Sequence, residues 1–139
     1  MPSTQAVLNE KLLTTIGVGS AILNGVVFTA IGVIALDDIA YGAVMGVLTA
    51  VGSFLFLPWF MGISAAQEQS DSDISFREAA ERITPSVGRG TFGMGLEAGA
   101  VLMLAVAFWQ GGSPLVAGTA VALTVALAVY LVGSVLLTR

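Results

Sequence analysis

The sequence predicts an all-α integral membrane protein, a four-helix bundle of two antiparallel transmembrane hairpins with a short amphipathic cytoplasmic helix between them. Hydrophobic residues make up 56% of the 139 residues and charged residues only 10%, whereas a soluble domain usually carries about 25% charged residues. A soluble fold of this length could not bury so much apolar surface. Eight of the fourteen charged residues lie between Gln67 and Arg89. This polar stretch divides one predicted domain, residues 1–139, into two apolar halves.

The first half of the sequence predicts a helical hairpin. Residues 12–36 carry no charge, and about 20 apolar residues suffice to cross a bilayer as a helix. Asp37 and Asp38 end this span, and a second span is predicted over 39–62, with a kink or an end near Leu57 because Pro58 follows. The connection is so short that the two helices must run antiparallel. The adjacent acids are expected to be a solvated cap, with a cation site as the alternative.

The polar connector, residues 67–90, contains a helix signal of its own. Ser75 and Glu78 have the spacing of a capping box. The apolar residues that follow fall on one helical face: Phe76, Ala79, Ala80 and Ile83. An amphipathic helix of this kind lies in the headgroup region of a membrane. The alternative is a short soluble helix that packs on the cytoplasmic end of the bundle.

The second half repeats the helix–turn–helix layout. A third span is predicted over 91–110, and Glu97 is its one charged residue. Residues 111–114 form a tight turn, with Pro114 suited to the first turn of the next helix. The fourth span, residues 114–137, carries no charge.

The basic residues predict the orientation of the four spans. All five fall before the first span, between the second and third, or after the fourth: Lys11, Arg77, Arg82, Arg89 and Arg139. With four spans these positions lie on one side, and the positive-inside rule makes that side the cytoplasm. The N-terminal residues lack the basic start and cleavage site of a signal peptide, so the first span is expected to be retained. The prediction is a multi-pass protein of the cell membrane with both termini in the cytoplasm.

The composition excludes several kinds of chemistry. The chain contains neither cysteine nor histidine, which excludes disulfides, thiolate chemistry and metal sites that need sulfur or imidazole. A net charge of −4 with one lysine and four arginines gives no basic footprint for nucleic acid. We therefore expect no enzyme activity, no cofactor and no metal. The expected partners are the lipid bilayer and other membrane subunits or copies of the chain.

The acidic connector, the scarcity of lysine and the Gly/Ala/Val-rich helices resemble the composition of small membrane proteins of salt-loving archaea. This resemblance is one of composition only, because no family motif is present.

Small residues recur at helical spacing in every span. The candidates for helix packing are Gly17, Ala21, Gly25, Gly42, Gly46, Ala50, Gly95, Gly99, Gly118 and Ala122. Helices in lipid associate mainly through close backbone approach at small residues. The pattern predicts internal packing, and the number of such faces leaves room for association with a copy or a partner.

Glu97 is the strongest candidate for a functional residue. It lies six positions into the third predicted span, about 9 Å below the inner surface at 1.5 Å per residue, and an ionisable group at that depth is costly. Three polar residues are predicted at a comparable depth, Ser20, Ser53 and Tyr130, and Asn24 is predicted one turn deeper. These four are the predicted partners of Glu97 in an ion or proton site. The alternative is that the span begins near Gly95 and Glu97 is a helix N-terminal acid favoured by the helix dipole.

Two functions follow from these expectations. The first is a non-enzymatic packing or accessory subunit of a membrane assembly, or a homo-oligomer. The second is a small transporter or channel that uses Glu97. The first is preferred because ion pathways usually contain several ionisable groups, and the predicted spans contain one.

Overall fold

The structure, a computed structural model, describes residues 4–68, 75, 77–79 and 87–138. These residues contain four long helices and no strand: α1 Thr4–Leu36, α2 Ile39–Glu68, α3 Val87–Gln110 and α4 Leu115–Thr138. Each helix is long and apolar enough to cross a membrane. The predicted all-α fold with four apolar helices is therefore confirmed. Helix α3 begins four residues earlier than the predicted span.

The turn between α1 and α2 uses both aspartates as helix ends. Asp37 ends α1 with a φ of 54°, a left-handed conformation that aspartate tolerates better than most residues. The Oδ1 atom of Asp38 accepts a hydrogen bond from the Tyr41 N–H at 2.9 Å, and its carbonyl oxygen accepts one from the Gly42 N–H at 3.0 Å. Asp38 is thus the N-cap of α2. The hydrogen bonds of Asp38 are those of the expected cap.

The turn between α3 and α4 ends its first helix by a Schellman motif. Gly111 has a φ of 65°, and the Gly112 N–H donates to the carbonyl oxygen of Ala107 at 3.1 Å. Glycine adopts this left-handed conformation at little cost. The Ser113 hydroxyl donates to Asp38 Oδ2 at 2.5 Å, so the two turns lie together at one end of the molecule.

Helix α2 does not stop near Leu57, where Pro58 was expected to end or kink it, but continues to Glu68. The proline ring lies against α1, because a Cβ atom added at Gly17 would be only 2.9 Å from Pro58 Cγ. Proline is tolerated inside apolar spans that are surrounded by neighbouring helices.

The four helices pack as an antiparallel row in chain order. Among the described residues, α1 packs along α2, α2 along α3 and α3 along α4, while α2 meets α4 at only a few positions. The apolar windows of α2 and α3 are 39% and 44% buried, against 6% and 11% for α1 and α4. The core therefore lies along the two inner helices. A closed bundle would bury all four helices more evenly, so the row is more open than the sequence suggested.

Two apolar clusters fill the row. The cluster near the two turns contains Tyr41, Met45, Met103, Ala107 and Ala122. Tyr41 is fully buried, and its hydroxyl donates to the Met103 carbonyl oxygen at 2.5 Å, which satisfies the one polar atom that this ring brings into the core.

The second cluster joins the connector to the opposite end of the row. It contains Trp59, Ile63, Ala79 and Val87. The Glu78 N–H donates to Ser75 Oγ at 3.3 Å, which is the N-cap half of the predicted capping box. Because Ala79 is buried against α2 and α3, its position favours the packed alternative over the headgroup one. Phe76, Ala80 and Ile83 lie outside the described residues.

Candidate functional site

Glu97 lies well inside α3. The helix begins at Val87, ten residues earlier, which places Glu97 about 15 Å along the helix axis at 1.5 Å per residue. The helix dipole acts only within the first turn, so the alternative of a helix N-terminal acid does not fit this helix. The glycines before it do not delay the helix start, because Gly90 faces the Trp59 ring and Gly95 faces Ala126 of α4.

A chain of hydrogen bonds links three helices at the level of Glu97. The Ser53 hydroxyl of α2 donates to Glu97 Oε1. The Asn24 side-chain Nδ2 of α1 donates to Ser53 Oγ at 2.6 Å. Ser53 is fully buried, so these bonds replace the water that its hydroxyl would otherwise need. Three of the five residues predicted for the ion or proton site are thus brought together as the Asn24–Ser53–Glu97 chain.

The second carboxyl oxygen of Glu97 is open. Glu97 is only partly buried, and within the described part of the protein its Oε2 neither accepts a hydrogen bond nor counts among the buried polar atoms without a partner. A carboxylate can accept about four hydrogen bonds. The site can therefore receive a donor or a cation from outside the row.

Two glycines that sequence reasoning missed create the space for this carboxyl group. A Cβ atom added at Gly52 would lie 2.8 Å from Glu97 Cγ and 2.9 Å from the Gly93 carbonyl oxygen. One added at Gly93 would lie 2.7 Å from the Gly52 carbonyl oxygen. Close approach of α2 and α3 thus depends on both positions. Gly93 precedes Glu97 by four residues and shares its helix face, which is the signal that could have identified it.

Among the described residues, the other two predicted partners of Glu97 take no part in these hydrogen bonds. Ser20 is one turn before Asn24 on α1 and makes no hydrogen bond to the chain among the described residues. The Tyr130 ring packs edge-on against Phe92 with ring centroids 6.1 Å apart. Thr49, which was not among the predicted site residues, is buried on α2, one turn before Ser53. Its hydroxyl donates to the Met45 carbonyl oxygen at 3.0 Å.

The predicted small residues lie at the helix crossings. A Cβ atom added at Gly46 would lie 2.6 Å from the Gly25 carbonyl oxygen, and one added at Gly95 would lie 2.7 Å from the Ala126 carbonyl oxygen. The remaining glycines face neighbouring helices in the same way: Gly17 faces Pro58, Gly42 faces Thr29 and Gly32, Gly99 faces Ala122, and Gly118 faces Tyr41 and Met103. Backbone-to-backbone approach therefore joins every pair of adjacent helices, and any role in association with another chain stays a prediction.

A surface groove remains beside the crossing of α1 and α2. It has a volume of about 350 Å³. Its small lining residues are Ala21, Gly25, Ala43, Gly46 and Ala50. We call this the small-residue groove.

A larger groove lies between α2, α3 and α4. Its volume is about 590 Å³, and its lining includes Phe56, Trp59, Phe60, Met94, Val129 and Val132. The Phe56 and Phe60 rings have centroids 5.5 Å apart, and those of Phe56 and Trp59 are 6.1 Å apart. We call this the aromatic groove.

Among the described residues outside the helices, Asp38 at the turn end of the row has a shifted pKa. The Ser113 hydroxyl, and after it the Tyr41 N–H, hydrogen-bonds to the Asp38 carboxylate and lowers the pKa of Asp38 below its ordinary value. These donors stabilise the charged form. Among the described residues, no three acidic side chains converge as they would in a metal site.

Comparison of the chain with protein-family models, with curated proteins and with solved structures finds no match.

Proposed function

We propose that the chain is a multi-pass protein of the cell membrane with both termini on the cytoplasmic side. Four helices of sufficient length and apolarity support this. So does the exposure of large apolar side chains along α1 and α4, for example Ile34 and Val116, which are 82% and 84% exposed. Lipid tails would cover such surfaces at no cost. The orientation rests on the one-sided distribution of the five basic residues.

Within the membrane, we propose a non-enzymatic packing or accessory role, in a homo-oligomer or in an assembly with other subunits. The observation that carries this proposal is that the small-residue groove stays open after α1 and α2 have packed. Ala43 lines the groove and is exposed, and the apolar window of α1 is only 6% buried. Since helices in lipid gain association energy mainly from close packing at small residues, an additional helix fits this surface.

Proximity labelling in native membranes tests the proposal. The chain has no cysteine, so Ala43→Cys can carry a single photoactivatable benzophenone on the groove. We expect a covalent adduct with a second polypeptide. The matched control is Ala120→Cys on the exposed surface of α4, which should give no adduct. Equal adducts from both sites, or none from Ala43→Cys, would contradict a specific contact at the groove.

A second candidate function is a small transporter or channel with Glu97 as an ion or proton site. The observation that favours it is the Asn24–Ser53–Glu97 chain with its open carboxyl oxygen. Intramembrane ionisable groups face partners or pathways and mark function by default. The test is proton and cation flux in proteoliposomes for the wild type and Glu97→Gln, which keeps the shape and removes the charge. Flux that the variant retains would remove Glu97 from the mechanism.

A further inference from the structure

We propose that Glu97 and the aromatic groove together form a binding site for a hydrophobic organic cation. This inference rests on the second candidate function, in which Glu97 is a binding group, and it names the class of ligand. Four observations carry it: the isolation of the carboxyl group, its distance from the groove, the aromatic lining of the groove and the shortage of further oxygen ligands.

Glu97 has no cationic side chain at its level among the described residues. On α3 the nearest is Arg89, eight residues away, or about 12 Å along the axis. On α1, Lys11 precedes Asn24 by thirteen residues, or about 20 Å. On α2, the titratable residues closest in sequence to Ser53 are Tyr41, twelve residues before it, and Glu68, fifteen residues after it. A cation beside a carboxylate in apolar surroundings is favourable, and at this level a bound ligand is what would supply it.

The aromatic groove is lined by residues that lie about one helical turn from Ser53 and Glu97 along α2 and α3. Phe56 follows Ser53 by three residues on α2, and Met94 precedes Glu97 by three residues on α3. Residues three apart share a helix face and are displaced by about 4.5 Å along the axis. Both residues line the groove. A ligand of moderate size can therefore place its charge near Glu97 Oε2 and its apolar body in the groove.

The groove has the size and lining that such a ligand needs. Its volume of about 590 Å³ lies within the range of roughly 300–1,000 Å³ that is usual for small-molecule sites. Trp59, Phe56 and Phe60 line one wall. Aromatic faces attract organic cations through their quadrupoles, and tryptophan does so best.

The site fits an organic cation better than a metal ion. Calcium takes six to eight oxygen ligands and magnesium an octahedral set. The Asn24–Ser53–Glu97 chain offers one carboxyl group, one hydroxyl and one amide. Ser53 Oγ already forms hydrogen bonds with both Asn24 and Glu97. The adjoining groove is apolar. An organic cation needs one carboxylate for its charge and apolar surface for the rest, which is what these residues provide.

Calorimetric titration of the full chain in detergent tests the inference, with tetraphenylphosphonium as the probe. We expect saturable binding that weakens at least tenfold in Glu97→Gln. A matched control is Glu68→Gln, which removes an exposed carboxyl group at the end of α2 and should bind as the wild type does. Neutral triphenylphosphine oxide should bind at least tenfold more weakly than the cation. Melting temperatures close to that of the wild type establish that both variants are folded.

The outcomes separate this inference from the function on which it rests. Equal binding to wild type and Glu97→Gln, or equal binding of the neutral compound, would overturn the inference. Absence of binding together with Glu97-dependent proton flux would overturn the ligand class and leave the ion-site function standing. Absence of both would overturn the two together, while the packing role would still be decided by labelling at Ala43.

Discussion

Ser53 on α2 donates its hydroxyl hydrogen to Glu97 on α3 and accepts one from Asn24 on α1. One buried hydroxyl group thus connects three helices, in addition to the Tyr41–Met103 hydrogen bond between α2 and α3 and the contacts at glycines. Because Ser53 both donates and accepts, its removal would leave an amide and a carboxyl group without their partners. Because both partners depend on Ser53, the Asn24–Ser53–Glu97 chain is the most informative polar feature of the helix row.

Ser53→Ala should destabilise the protein by about 1–3 kcal/mol, the usual cost of leaving buried polar groups unsatisfied. The measurement is denaturant unfolding in detergent, followed by helical circular dichroism. Ser64→Ala is the matched control on the same helix, because the Ser64 hydroxyl donates only to the Phe60 carbonyl oxygen of its own helix. The control should change stability by less than about 0.5 kcal/mol. Equal effects of the two substitutions would show that the Asn24–Ser53–Glu97 hydrogen bonds contribute nothing to the free energy of unfolding.

Gly52→Ala should also destabilise the row, by about 1–3 kcal/mol, as overpacking usually does. The added Cβ atom would lie 2.8 Å from Glu97 Cγ and would separate α2 from α3. Gly19→Ala is a control with the opposite expected sign. A Cβ atom there meets nothing within 4 Å, and alanine is favoured over glycine in a helix by about 0.5–1 kcal/mol. Thermal unfolding of both variants measures the difference, and a stabilising Gly52→Ala would contradict the close approach.

Asp38 should contribute stability that depends on pH. Its folded-state pKa is lowered, so its contribution is fully present above the pKa of the unfolded chain and is lost as the pH falls through the lower folded value. Asp38→Asn should therefore reduce the melting temperature at neutral pH, and the difference from the wild type should shrink in acid below about pH 3.8. Asp37→Asn is the control, because asparagine also tolerates a left-handed conformation. A difference that stays constant as the pH falls well below 3.8 would disprove the carboxylate cap.

Single cysteines should report the topology. Glu68→Cys, at the exposed end of α2, should react with an impermeant maleimide only from the cytoplasmic side. Gly112→Cys, where a side chain meets nothing within 4 Å, should react only from the outside. The cysteine-free parent chain is the blank. Labelling of Glu68→Cys from outside would invert the proposed orientation.

The sequence predicted the helices well because length, apolarity and the acidic or glycine-containing turns are local properties. Counting depth along helices of known rise put Ser53 level with Glu97, where the two are hydrogen-bonded. It put Ser20 at the same level and Asn24 a turn deeper, whereas Asn24 is the α1 residue that bonds to Ser53.

Tyr130 was predicted at the level of Glu97, but its ring packs against Phe92 and lies beside Gly88, five and nine residues before Glu97 on α3. A depth count gives neither the register of two packed helices nor the direction of a side chain. The alternative start near Gly95 is wrong, because the preceding Gly90 and Gly93 pack against α2 within a continuous helix.

The open row was the least predictable feature. Small residues on every helix indicate that neighbouring helices pack closely. The same pattern is compatible with a closed bundle, a row or an assembly of several polypeptides. Gly52 and Gly93 show the difficulty, because their role depends on a crossing between α2 and α3 that no local pattern specifies. The order of helices in space depends on how these crossings combine, and periodicity within one helix does not encode it.

The mass of the protein extracted from its native membrane in mild detergent tests the central claim most directly. The chain has a mass of 14.2 kDa. We predict a larger complex for the wild type and for Ala120→Leu. Ala43→Leu fills the small-residue groove and should release the 14.2 kDa monomer with its helices still folded. A wild-type protein that is monomeric under these conditions, or a complex that Ala43→Leu leaves intact, would contradict a packing role for this groove.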